Sequence, residues 1–543
     1  MALLVTGRAS LPDSSPFSRG LAWGRRIASN GMVATAGEAE VEVAAVGLGP
    51  HPWIAHLAFA ALVMLLVVGG AYHEPWFDEA QSWLIARDAT PWTMVSHLMH
   101  YEGTPGLWHL LLWGLQRFGY PYRGFWLISS TLAAAGSWVI LYRSPFPLWM
   151  RLGLIFSYFQ AYQFAVVARS YALDALLFPL VAAAWPSRVK RPVSYALLLA
   201  LLANTNAYAF LLSGLLALEL AWSVRDLLWR RDARTWGAAL IYAVCAIAAV
   251  LQAWPAPDLN FNGASPPLKP VGAVLLFAQA FIDRVDIFAT AAPTTPSLLG
   301  GVVLTIFVIA PIGLLCARAR LAALLWGGIL AFLAFSALEY GKLWHSGVIF
   351  LYVVALAWMA WPARKRLPRL ERGWLDGALA LLLVSSVSST ALAFATDIRL
   401  PYSSSAATAA LVKQLRADNP RAKVAALGFT AFNIQPSFQA NVFVNSYGGA
   451  SKPGYIDWSS RQTLSPWPKL PELAAVLARK PDMVLMSAIL NGPAFVSAAK
   501  AKGYCVTQTV TGDLIWKSYV SDHDPITVLR PCRTLAVSSH GAS

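Results

Sequence analysis

Three carboxylates, Asp78, Glu79 and Glu102, fall in one stretch between two apolar runs: His73-Glu74-Pro75-Trp76-Phe77-Asp78-Glu79-Ala80-Gln81 opens it and Tyr101-Glu102-Gly103-Thr104-Pro105-Gly106 closes it. Carboxylates held beside apolar helices at a membrane surface are partly desolvated. That raises their basicity and suits them to take a proton from a hydroxyl. The plainer reading of Asp78 and Glu79 is that they open a surface helix and are favoured by its dipole. Tyr340-Gly341-Lys342-Leu343-Trp344-His345 precedes another apolar run, and its Lys342 and His345 could cradle a lipid phosphate, although a Lys at a span end commonly just snorkels. Imidazole and carboxylate suit a divalent ion, so Glu102 and His345 form a candidate metal pair. Val167-Ala168-Arg169-Ser170-Tyr171-Ala172-Leu173-Asp174 sets an Arg and an Asp between two apolar runs, where they serve equally well as an interface pair holding helix ends.

The scaffold that positions these groups must be a membrane protein. Of the 543 residues, 57% are hydrophobic and 13% charged, against about a quarter charged in soluble proteins, which excludes a soluble or disordered chain. Apolar runs long enough to cross roughly 30 Å of hydrocarbon recur at 54–72, 124–141, 148–166, 170–186, 237–254, 298–316, 321–338, 345–361 and 375–395. Residues 106–118 are short for a span, and 194–223 reads as one long helix or as two broken at Asn204-Thr205-Asn206. The net charge of +15 concentrates in clusters such as Arg225/Arg230/Arg231/Arg234 and Arg364/Lys365/Arg366/Arg369/Arg372, which mark cytoplasmic loops and lend no support to nucleic-acid binding. The expected fold is therefore an α-helical polytopic membrane protein of about 11 transmembrane helices. Its parts are a flexible cytoplasmic arm at 1–50, a membrane module at 51–395 with outer loops 72–105 and 255–297, and a soluble extracytoplasmic α/β domain at 396–543. No cleavable signal peptide is evident in the arm.

Within the first outer loop, Phe77, Ala80, Gln81 and Leu84 share one helical face, which suits a helix lying on the membrane. Loop 255–297 carries Asp258, Asn260, Asn262, Lys269, Asp283, Arg284 and Asp286, and Phe277, Phe281, Ile282 and Val285 recur there at helical spacing. A second interfacial helix is expected, with its acids as polar decoration. After residue 396, alternating apolar patterns predict helices at 406–415, 470–480 and 495–502 and strands at 423–428, 482–487, 504–510, 514–519 and 526–529. Tyr447, Tyr455, Trp458 and Trp467 there are sugar-stacking candidates or core residues. Cys505 and Cys532 would pair if this part meets an oxidising compartment. Asp522-His523-Asp524 is read as a turn, and the absence of a phosphate-binding glycine loop argues against a nucleotide cofactor.

Trp76-Phe77-Asp78-Glu79-Ala80 after the first span, followed by Glu102-Gly103-Thr104-Pro105-Gly106-Leu107-Trp108 at the start of the second, resembles the polyprenyl-phosphate-sugar-dependent glycosyltransferases of the GT-C fold. Protein O-mannosyltransferases and bacterial aminoarabinose transferases are among them. The resemblance implies a multi-pass enzyme of the bacterial inner or plasma membrane that moves a sugar from a polyprenyl-phosphate donor to a glycan, lipid or protein hydroxyl. Asp78 would be the general base, Glu79 and Glu102 supporting or metal-binding acids, and Arg169, Lys342 and His345 the donor-phosphate contacts. A single base opposite the leaving group implies inversion at the sugar carbon. Relatives commonly carry two prolines or a Lys where this chain has Thr104-Pro105-Gly106, so a cation from that segment must be replaced from elsewhere. A transporter or flippase for a lipid-linked or glycan substrate is the alternative, but such proteins favour ionisable groups near the bilayer midplane and internal repeats.

Overall fold

Helices dominate the chain because its apolar segments can satisfy their backbone groups in lipid only internally. The computed structural model describes residues 52–259, 268–460, 468–487 and 492–532; the amino-terminal arm, Asn260, Asn262 and Trp467 lie outside the described residues. Among the described residues, six helices are long and apolar enough to cross a membrane, and five shorter apolar helices accompany them. In chain order the main helices are α1 (Pro52–Tyr72), α2 (Phe77–Asp88), α3 (Leu107–Arg117), α4 (Phe125–Arg143), α5 (Leu148–Ile155), α6 (Tyr171–Ala184) and α7 (Pro192–Ala203). They continue with α8 (Ala207–Ser223), α9 (Ala233–Ala253), α10 (Lys269–Phe281), α11 (Thr295–Arg318), α12 (Ala322–Leu338), α13 (Ser346–Ala360) and α14 (Arg369–Arg399).

Close helix contacts use small residues and buried amides, as expected where lipid removes the hydrophobic drive between helices. A Cβ at Gly136 of α4 would lie 2.0 Å from the Ala175 carbonyl oxygen of α6, so only glycine permits this crossing. Beside it the buried Gln160 amide donates to the carbonyls of Ala133 at 3.0 Å and Ala175 at 3.2 Å, joining the two helices.

Two apolar stretches break where polar side chains intervene. The 148–166 run is not one helix: α5 stops at Ile155, the Ser157 hydroxyl donates to the Leu154 carbonyl, and the Tyr158 N–H donates to Ser386 of α14. The 194–223 stretch forms two helices, with the Asn206 side chain accepting from the Ala209 N–H at 3.0 Å to open α8. Thr205 and Asn206 each donate to the fully buried Asp174 of α6 at 2.6 Å.

Beyond α14 the chain forms a further helix, α15 (Ser405–Asp418), and a four-stranded sheet in the order β1-β2-β6-β3. Its strands are β1 (Val424–Leu427), β2 (Met483–Ser487), β3 (Tyr504–Val510) and β6 (Ile526–Pro531). β1 and β2 run parallel, while β6 is antiparallel to both β2 and β3. The parallel strands β1 and β2 are buried at every position, which explains why they read as continuous apolar runs. β4 (Asp513–Trp516) and β5 (Tyr519–His523) form a separate hairpin. Asp522 and His523 thus end a strand, and Asp524 is buried after it, bonded to Asn433 at 3.0 Å.

The sheet and the membrane helices belong to one compact unit. Contrary to the membrane-lying helix expected, the Phe77 face of α2 packs under the C-terminal segment, against the rings of Phe429 at 4.9 Å and Trp458 at 5.8 Å. Loop 255–297 likewise differs from expectation: its helix spans Lys269–Phe281, and Asp283 and Arg284 are buried beyond its end. The tip of the β4–β5 hairpin covers them, with the Lys517 ammonium 3.1 Å from Asp283 and the Lys517 N–H donating to Tyr158.

Cys505 and Cys532 form a disulfide that ties the start of β3 to the end of β6 across 27 residues. A loop of that length constrains the unfolded chain by about 3–4 kcal/mol in the chain-entropy model. Cys505→Ser is expected to lower stability by about 2–4 kcal/mol, read as a lower Tm of detergent-purified protein. An unchanged melting curve would mean that the bond does not form.

Candidate active site

The first turn of α2 divides the work of its two acids. Successive helical side chains point in different directions, so Asp78 and Glu79 cannot face one site together. Glu79 turns inward and is fully buried. One of its oxygens accepts from the Trp76 N–H at 3.1 Å, closing the helix start, and from the His73 imidazole at 3.1 Å; the other accepts from the Ala168 N–H at 2.6 Å. His73 also bonds Asp397 of α14 at 2.9 Å, and Tyr162 donates to the same carboxylate. Burial alone would depress the His73 pKa, but the charges of Asp397 and Glu79 outweigh it and raise it to about 10. Glu79 is thus a positioning residue that fixes the start of α2 and the backbone next to Arg169. Glu79→Ala would leave the buried imidazolium and the Ala168 N–H short of a partner and cost about 3–5 kcal/mol. Thermal unfolding in detergent checks this, and a wild-type Tm would contradict it.

Asp78 turns to the opposite side and is half-buried. Its carboxylate lies 2.9 Å from the Arg169 guanidinium, so the two share one face of the protein. Burial raises the Asp78 pKa, helped by the Glu79 charge and opposed by Arg169 and Lys342. Arg169 is sandwiched among rings: its guanidinium carbon is 4.8 Å from the ring centre of Trp344, 5.3 Å from that of Tyr171 and 5.7 Å from that of Trp76. Three N–H donors in this cluster are buried without a partner among the described residues: Arg169 Nη1, Trp76 Nε1 and Trp344 Nε1. Unpaired buried donors are costly. An anion is the group that would satisfy them.

Lys342 precedes Trp344 on the turn leading into α13, and no carboxylate lies within ion-pair distance of its ammonium among the described residues. His345 does not face the cluster as a free ligand. It is buried, its Nδ1 accepts from the Lys342 N–H at 3.0 Å, and its ring packs against Tyr171, Tyr208, Tyr340 and Trp344. It therefore shapes the Lys342 turn. Glu102 ends the short helix Met99–Glu102. One of its oxygens accepts from Gln81 at 2.8 Å and from the Trp458 indole at 3.1 Å, and Gln81 exchanges hydrogen bonds with the Ile456 backbone.

No family model matches the chain, and no curated protein does either. Among solved structures, ArnT from Cupriavidus metallidurans in the apo state superposes with a TM-score of 0.51 at 14% identity, covering 89% of this chain and 98% of that one. The fold is that of ArnT. A structure of ArnT from the same organism bound to undecaprenyl phosphate matches with a TM-score of 0.48, 14% identity and the same coverage. The ArnT fold is polytopic, in keeping with the apolar helices seen here, and it is the GT-C-like fold implied by the residues around Asp78.

Within this ArnT-like fold the expected site residues part into two groups. Asp78, Arg169 and Lys342 converge with Trp76, Trp344 and Tyr340, whereas Asp174 belongs to the α7–α8 break and Asp283 to the hairpin tip. Glu102 and His345 do not fit a divalent ion. Among the described residues no three His, Cys, Asp or Glu side chains are grouped to hold one, and the Nδ1 of His345 is already bonded. The Trp458 indole donates to Glu102 and so walls the site as a structural group, while the Tyr447 hydroxyl accepts from the Asp457 N–H and its ring packs on Tyr455. Missed by sequence reasoning were the paired roles of Trp76 and Trp344, whose only signal was their position at span ends.

Glu102 is the titrating member of the group. Burial first, and then the Asp78 charge, push its pKa up from 4.5 to about 7 against the hydrogen bonds of Gln81 and Trp458. The folded state therefore holds this proton more tightly than the unfolded chain. The stability so gained is complete below the unfolded value and is lost as pH rises through the folded one. Glu102→Gln is expected to flatten the fall of Tm with pH across the interval between those values; a slope identical to wild type would refute the assignment.

Proposed function

We propose that the protein is an integral membrane glycosyltransferase that moves a sugar from a polyprenyl-phosphate donor to a hydroxyl acceptor, with inversion, at the outer face of the cell membrane. The observation that carries this reading is the pairing of a half-buried carboxylate, Asp78, with an arginine whose second nitrogen and two flanking indoles lack partners. Such a cluster suits a phosphate that arrives with the donor, while Lys342 adds a second positive charge. The orientation, with the arm 1–50 in the cytoplasm and residues 396–543 outside, is supported by the basic loops and by the disulfide.

Before the donor binds, Asp78 occupies the guanidinium that the phosphate would take. Phosphate binding to Arg169 then withdraws a positive charge from Asp78 and makes its carboxylate more basic. Asp78 takes the proton of the acceptor hydroxyl as its oxygen forms a bond to the anomeric carbon. The bond from that carbon to the phosphate oxygen breaks, and the lipid phosphate departs with the electron pair, its charge held by Arg169 and Lys342. No step is assigned to a metal.

The test is release of polyprenyl phosphate by the purified protein from a panel of polyprenyl-phosphate sugars, with candidate glycan, lipid and protein acceptors. Acceptor-dependent release supports the proposal. Movement of intact donor across proteoliposomes without release would favour the transporter, and neither result with any donor would reject both.

A further inference from the structure

A cavity lies between α7, α8 and α9, and none of its lining residues belongs to the Asp78 cluster. It measures about 470 Å³ and is lined by apolar side chains including Leu199, Leu211, Gly214, Leu218, Ala239 and Tyr242. That size falls in the range of about 300–1,000 Å³ for small-molecule sites. α8 starts beside the active site, where Tyr208 packs on His345, and its 17 residues carry it about 25 Å away at 1.5 Å per residue. The cavity follows α8 to that far end, reaching Val224 and Leu228.

At the far end the mouth is cationic. Lys190 and Arg191 precede Pro192, and Arg225, Arg230, Arg231 and Arg234 surround Leu228 and Thr235; Pro192, Leu228 and Thr235 all line the cavity. These six cations are exposed. Two nearby acids offset only part of this charge: Asp226 pairs with Arg225 at 4.0 Å, and Asp232 caps α9 through Thr235 beside Arg234. Trp222, Trp229 and Trp236 are exposed around the same mouth at 69%, 86% and 55%, which is where indoles sit at a headgroup layer. An apolar slot inside the bilayer with a cationic, Trp-ringed opening matches an acyl chain joined to an anionic head. Basic pockets between membrane helices recognise such headgroups.

We infer that this cavity is a binding site for an anionic phospholipid of the leaflet opposite the active site, with one acyl chain between α7, α8 and α9 and the headgroup phosphate on Arg230, Arg231 and Arg234. It acts as a fixed structural lipid, separate from the glycosyl donor. The side chain at position 214 offers a clean probe, because a Cβ there meets only the Tyr242 hydroxyl, at 3.7 Å.

Detergent-purified full-length protein is incubated with equimolar phosphatidylglycerol and phosphatidylcholine, and the lipid retained through gel filtration is counted by native mass spectrometry. One phosphatidylglycerol per chain is expected, in preference to phosphatidylcholine by about tenfold or more, given about 1 kcal/mol for each basic residue near a headgroup. Gly214→Phe should abolish retention of both lipids, while Arg230→Gln with Arg231→Gln and Arg234→Gln should remove the preference. Equal retention of the two lipids by wild type, or retention unchanged in Gly214→Phe that elutes as a monodisperse peak, would overturn the site. If added polyprenyl phosphate displaces phosphatidylglycerol, and Gly214→Phe blocks it too, the cavity belongs to the donor and the inference fails. Should Gly214→Phe elute as aggregate, the arginine variants alone decide the question.

Discussion

Asp78→Asn is expected to lower kcat by about 10²–10⁴-fold, the range for loss of a general base, with the protein still inserted and monodisperse. The substitution keeps the shape of the side chain and removes only its charge and proton affinity. Donor affinity should hold or improve, because the amide no longer competes for the Arg169 guanidinium 2.9 Å away. This split, a large loss in kcat with KM for the donor unchanged or lower, separates a base from a group that merely holds the fold. Steady-state release of polyprenyl phosphate measures both constants. Activity near wild type would remove Asp78 as the base.

Arg169→Gln should cost about 10²–10³-fold in kcat, as for removal of one donor to a developing negative charge, and should raise KM for the donor as well. A second effect has a definite sign. With the positive charge gone, burial and the Glu79 charge are opposed only by Lys342, so the Asp78 pKa rises further. The rising limb of the pH–rate profile moves to higher pH. Arg169→Lys should recover only part of the loss, because a point charge cannot replace the planar fork that reaches Asp78 with one nitrogen while its other lies among the indoles. An Arg169→Gln enzyme with an unshifted profile and unchanged donor KM would show that the guanidinium serves packing only.

How much of this was readable in the sequence depends on the range of each interaction. Asp78 and Glu79 could be singled out from local spacing, yet their opposite fates follow from helix geometry, which already says that neighbours do not share a face. What could not be read was Glu79's partners: His73 is six residues away, but Ala168 and, through His73, Asp397 come from distant segments of the chain. The strands of the C-terminal sheet were legible because burial leaves a continuous apolar pattern in β1 and β2. The break after Ile155 was not, since scattered polar residues such as Ser157 and Gln160 can also sit inside a span and only the contact with Ser386 exposes the break. Asp283 looked like surface decoration because its partner, Lys517, lies 234 residues further along.

The bonds from Gln81 to Ile456 and from Glu102 to Trp458 span 375 and 356 residues. Their consequence concerns the order of synthesis. The loop that carries Asp78 emerges early from the ribosome, but two of its side chains, Gln81 and Glu102, wait for partners made after the last apolar helix, α14, has been translated. The site is therefore completed last, so a nascent or arrested chain in the bilayer carries Asp78 without the wall that frames it.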